Sequence, residues 1–148
     1  MSKKTLITQK TLGLVMMTIA ILVYSVIPPM VDLITDTHVF HPDWPAHARF
    51  HTVWLLGTTS AVGLFAIYLL WGSGDDTNMA IRIAGTLSVC ILGTFMMSVM
   101  SMPLYGGALS DVGGVGPTVG GLDANLVVFT VDLGVLLYGW YLASNDSP

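Results

Sequence analysis

Four apolar stretches of about twenty residues each dominate this chain and leave it few folds to choose from. They run over residues 11–27, 51–71, 80–102 and 124–143. A hydrocarbon core about 30 Å thick is crossed by roughly 20 helical residues rising about 1.5 Å each. Backbone amides have no water to bond inside a bilayer, so each stretch must satisfy its own donors, and a helix does that. The short alternation of a membrane barrel is absent from the sequence. The expected fold class is therefore all-α, a single integral membrane four-helix bundle.

Charge supports that solvent. Only 9% of the 148 residues are charged, against the roughly 25% of an ordinary soluble domain, so the chain cannot coat itself for water. The five basic residues form no stripe, which leaves nucleic acid without an electrostatic foothold. The single cysteine, Cys90, rules out an intramolecular disulfide. The expected partner of most of the surface is the lipid bilayer.

The stretch after "MSKK" is longer than the about 7–15 apolar residues of a cleaved leader and lacks a small-residue cleavage site before Pro28–Pro29, so it reads as a retained first helix. Lys3, Lys4 and Lys10 precede it, Arg82 opens the third helix, and only Arg49 falls at the other face. Basic residues favour the cytoplasmic side. Both termini are expected in the cytoplasm, in an inner or plasma membrane, with residues 28–50 and 103–123 outside. Trp44, Trp54, Trp71, Trp140 and Tyr141 fall near the expected span ends, where amphipathic rings settle.

All four histidines fall within "DTHVFHPDWPAHARFH", residues 36–51. Asp43 followed by Trp44 and Pro45 reads as a helix start, with a carboxylate capping the first amides and proline in the first turn. His47 and His51 then lie four apart on one face, extended by Trp54 and Thr58, with Arg49 turned roughly the opposite way. Such a pair can chelate a metal, and His38 or His41 can add ligands, with Asp32 and Asp36 upstream. Met96, Met97, Met100 and Met102, at the outer end of the third stretch, would suit copper, although methionine also fills gaps in helix packing. Acid–base work and a solvated polar loop remain open beside the metal reading.

Asp132 lies near the middle of the fourth stretch, about nine residues below Asp123. A carboxyl at that depth normally faces a bundle interior, a cavity or a partner. Arg49 and Arg82 are candidate cations for it, and Ser98, Thr58 and Tyr24 candidate hydrogen-bond partners. Seven glycines between Gly106 and Gly121 make the second outer connection either a linker or a lid, with Tyr105 and Asp111 as the lid's polar contacts. Gly57, Gly63, Gly85, Gly93, Gly134 and Gly139 are candidates for close helix approach.

The positions His38, Pro42, Trp44, Pro45, His47, Ala48, Arg49, Phe50 and His51 resemble the His-x3-Pro-x-Trp-Pro-x-His-Ala-Arg-Phe-His signature of a family of small four-span membrane proteins of unassigned activity. That family favours Asn where this chain has His41, which weakens a ligand role for His41. The motif covers about a tenth of the chain, and the resemblance implies the four-span layout only. In general shape the chain is also similar to compact four-helix membrane enzymes such as the emopamil-binding sterol isomerases, without their acidic and aromatic site pattern.

The expected site lies at the extracytoplasmic face. In the first reading His47, His51, Arg49 and Asp132 converge on a cavity below the 103–122 connection and bind or turn over an apolar small molecule by acid–base chemistry, imidazole being the side chain that ordinarily titrates near neutrality. In the second, His38, His41, His47 and His51 hold copper or zinc. In the third the chain is an accessory subunit of a larger membrane complex or assembles with itself. No nucleotide fingerprint is present, so no nucleotide cofactor is expected.

Overall fold

The structure, a computed structural model, describes residues 3–36, 38–74, 77–110 and 117–145. Its elements in order are α1 (Lys3–Ile34), α2 (Ala46–Gly72), α3 (Thr77–Tyr105), β1 (Thr118–Val119), β2 (Leu122–Asp123) and α4 (Ala124–Ser144). All four helices are long and apolar enough to cross a bilayer, and the shortest, α4, has 21 residues and so measures about 32 Å. The protein is an all-α bundle of the integral membrane class. Successive helices pack side by side and α4 closes the ring against α1.

The tightest approach joins α1 to α4. A Cβ placed on Gly13 would stand 2.5 Å from the Ala143 nitrogen and 2.6 Å from the Gly139 oxygen. One placed on Gly139 would stand 3.0 Å from the Gly13 oxygen. Backbone therefore meets backbone, as small residues permit in lipid, where dispersion rather than water expulsion drives association. Gly85 leaves room for the Trp140 ring, and Gly63 for the Ser25 side chain. Around these contacts Met17, Ile21, Tyr24, Ile81, Leu92 and Leu136 form the buried core. Gly57, Gly93 and Gly134 face open space, so only half of the glycines expected at interfaces lie there.

Helix α1 does not end at the prolines. It continues through Pro28 and Pro29 to Ile34. Proline lacks the N–H that would bond the carbonyl four residues back, so Pro29 strands the Ser25 oxygen. The Ser60 hydroxyl of α2 donates to that oxygen at 2.8 Å. A neighbouring helix thus supplies a donor that proline cannot, a repair common where helices break in membranes. Pro103 likewise lies inside α3, which runs on to Tyr105 rather than stopping near residue 102.

Glycine ends α3. Gly106 adopts a φ of 69°, and the Gly107 amide donates to the Met102 carbonyl at 3.0 Å, closing the last turn. The glycine-rich connection is not wholly irregular: β1 and β2 form a hairpin pairing Thr118 with Asp123, turned by Gly120 and Gly121 at φ 61° and 83°. The Asp123 carboxylate then caps α4, accepting from the Asn125 amide at 2.8 Å and from the Ser110 hydroxyl at 3.3 Å. Asp111, a candidate lid contact, lies outside the described residues.

Candidate functional site

The connection from α1 to α2 is organised by Arg49. Its Nε donates to the Trp44 carbonyl at 3.1 Å, and its Nη2 to the His41 and Pro42 carbonyls at 2.8 and 3.3 Å. A planar cation thereby gathers three carbonyls of one loop. The expected pairing with Asp132 is not what the side chain does. Its donors point back along its own chain, because the loop crosses directly over the first turn of α2 and presents oxygens there. The helix start also differs from expectation: the N-cap is Pro45, which offers no side-chain acceptor, and α2 begins at Ala46. Asp43 instead uses its amide, donating to the His41 Nδ1 at 3.2 Å.

His38 is held by α1. Its Nδ1 lies 2.8 Å from an Asp32 carboxylate oxygen, and its ring meets Trp44 edge-on with centroids 5.2 Å apart. A carboxylate behind an imidazole fixes the ring's orientation and tautomer. The six-residue spacing of Asp32 and His38 matches no helical repeat that would bring the two side chains together.

His47 and His51 meet as the i and i+4 rule requires. Their Nε2 atoms are 3.0 Å apart and their rings stand at 89°. In a neutral pair one ring donates and the other accepts. Phe50 and Trp54 flank them, with ring centroids 5.6 and 6.0 Å from His51. All four side chains are exposed. At about 100° per residue, His47, His51 and Trp54 lie opposite the buried residues of α2, which are Leu56, Gly63, Ala66 and Leu70. The imidazoles therefore look away from the bundle, and the expectation that they look into it is corrected.

Asp132 lies inside, at 4% exposure, on the same side of α4 as Leu136, Gly139 and Ala143. Its Oδ2 has no hydrogen-bond partner among the described residues. Nearby, the Tyr24 hydroxyl meets the Ser88 hydroxyl at 3.1 Å, and Ser88 donates to the Ala84 carbonyl of its own helix. Of the other expected partners, Thr58 and Ser98 donate to Trp54 and Thr94 of their own helices. Asp132 and the imidazoles thus sit on opposite sides of the helix wall. The four-residue acid–base constellation of His47, His51, Arg49 and Asp132 does not share one cavity.

The four-histidine metal set is not assembled either. Among the described residues no three of the His, Cys, Asp and Glu side chains stand together as a metal would need. His38 turns to Asp32 and His41 to the Asp43 amide, leaving His47 and His51 as a two-donor pair. Met97 and Met100 are exposed on α3, while the Met96 sulfur lies 3.9 Å from the Thr130 hydroxyl, whose proton goes to the Leu126 carbonyl at 2.6 Å. The Tyr105 hydroxyl donates to the Ser98 carbonyl of its own helix at 2.9 Å, so it is spent there rather than as a lid contact. A groove of about 450 Å³ runs between α1 and α2 and is lined by Val26, Pro29, Met30, Leu33 and Leu64 with Ser25 and Ser60. The cavity expected below the 103–122 connection falls in part on residues 111–116, which lie outside the described residues.

No family model matches this chain, and neither the curated proteins nor the solved structures contain a match to it.

Proposed function

We propose that this integral membrane protein binds a transition-metal ion, copper or zinc, through His47 and His51 at its extracytoplasmic face. One observation carries the reading: two imidazole nitrogens on successive turns converge to 3.0 Å on an exposed face. Two nitrogens bound tetrahedrally to zinc at about 2.0–2.1 Å stand about 3.3 Å apart, so a small opening of the pair would chelate an ion. Imidazole suits both metals. The reading orients the chain with both termini in the cytoplasm of an inner or plasma membrane, on the balance of Lys3, Lys4, Lys10 and Arg82 against Arg49.

The acid–base enzyme loses its support once Asp132 and Arg49 are separated from the imidazoles. The α1–α2 groove favours a second reading, in which a hydrophobic small molecule is bound. The Ser25 and Ser60 hydroxyls along it donate to the Ile21 and Ser25 carbonyls, so their protons are already committed. Its occupant would be recognised by shape and apolar contact, with the hydroxyl oxygens free only to accept.

Calorimetric titration of purified, chelator-stripped protein with zinc and with Cu(II) tests the first reading. Saturable binding that disappears in His47→Ala and His51→Ala but persists in His38→Ala and His41→Ala is expected. Binding that survives the loss of both α2 histidines would falsify it. Acidification protonates imidazole and must weaken the same binding.

A further inference from the structure

We infer that the His47–His51 pair is half of a metal site, and that a second copy of this chain supplies the other half across facing α2 helices. The inference rests on the metal reading above and deepens it by naming the partner.

The first argument is coordination. A closed zinc site takes four protein donors. Among the described residues the chain gathers two around this position and no third His, Cys, Asp or Glu. Two identical pairs make four imidazoles.

The second argument is symmetry. Copies inserted in one membrane with one topology carry His47 and His51 at the same depth, whichever face that is. A twofold axis along the membrane normal therefore brings the two pairs level, and an interface about such an axis uses the same patch on both partners. No other donor set in an unrelated protein meets that condition without further assumption.

The third argument is the surface below the pair. On the same outward face, about one to three turns deeper, lie Trp54, Gly57, Thr58 and Ala61. A Cβ added to Gly57 would meet nothing within 4 Å, so that position is open to whatever approaches. The Thr58 hydroxyl is satisfied by the Trp54 carbonyl at 2.8 Å. Small residues and satisfied hydroxyls let two helices close to short range in lipid. Phe50 and Trp54, 61% and 62% exposed, would wall the ion from water.

The test uses the full chain in detergent, stripped of metal, with zinc sulfate as the probe. Light scattering reads the mass of the protein–detergent particle while dialysis reads bound zinc. The proposal expects a zinc-driven dimer holding one ion per two chains, reversed by chelator and lost in His47→Ala and in His51→Ala. Gly57→Leu should hinder dimerisation while leaving the helical circular dichroism unchanged. In a Cys90→Ser background, Ala61→Cys should form an intermolecular disulfide faster with zinc than without. One zinc per monomeric chain overturns the second copy and leaves the metal reading standing. Absence of zinc binding overturns the shared zinc site, and absence of Cu(II) binding as well overturns the metal reading.

Discussion

The α1–α4 contact and the outward face of α2 are built from the same small residues to opposite ends. At the first, Gly13, Gly139 and Ala143 bring two backbones together and leave no room for a methyl group. At the second, Gly57 faces open space beneath two imidazoles and two aromatic rings. Glycine in an apolar helix is thus no guide to packing until the opposing surface is known. One contact closes the bundle on itself. The other leaves a face for something outside it.

Substitutions can break this contrast, and the largest effect belongs to the closed contact. Gly139→Val drives a side chain into α1 backbone and should cost about 3 kcal/mol or more, read by unfolding in mixed detergent micelles. A variant as stable as the parent would show that the two helices do not meet there. Arg49→Ala frees three loop carbonyls and should cost about 2 kcal/mol, with faster amide exchange over residues 38–45. Unchanged exchange would mean that the loop is held by other means. Ser60→Ala strips the Ser25 oxygen of its donor and should cost about 1 kcal/mol, whereas Ser60→Thr should retain most of the bond. Equal losses in both variants would remove the hydroxyl from the account. Gly57→Val, on the open face, should change monomer stability by less than about 0.5 kcal/mol. A large loss there would abolish the distinction between the two faces.

Asp132 sharpens the contrast from the interior. Its Oδ2 lacks a partner among the described residues, so Asp132→Val exchanges an unsatisfied polar atom for methyl groups and should leave stability equal or higher. A fall in thermal midpoint would show that the carboxyl has a bonding partner in the membrane, such as a trapped water.

The number, order and approximate extent of the helices were legible because hydrocarbon thickness acts on the sequence directly. The pairing of His47 with His51 followed from helical spacing alone. The direction of that pair did not. α2 is apolar around its whole circumference, so nothing in its periodicity marks which side lies inward. Arg49 was misread because its partners are carbonyls, which every residue possesses and no sequence pattern advertises. Ser60 was missed for the same reason. Its acceptor was created by a proline 31 positions earlier on another helix. Gly13 was overlooked at the tightest contact, where its neighbours in the sequence resemble any other apolar run.

The two prolines of α1 have a mechanical consequence. Without amide hydrogens at positions 28 and 29, the ladder of that helix lacks two successive rungs just before its last turn and a half. Each missing rung weakens the helix there, and one hydroxyl on the adjacent helix latches the joint. Lateral displacement of α2 would release that latch and change the angle of the final segment, carrying Asp32 and the imidazole it holds along with it.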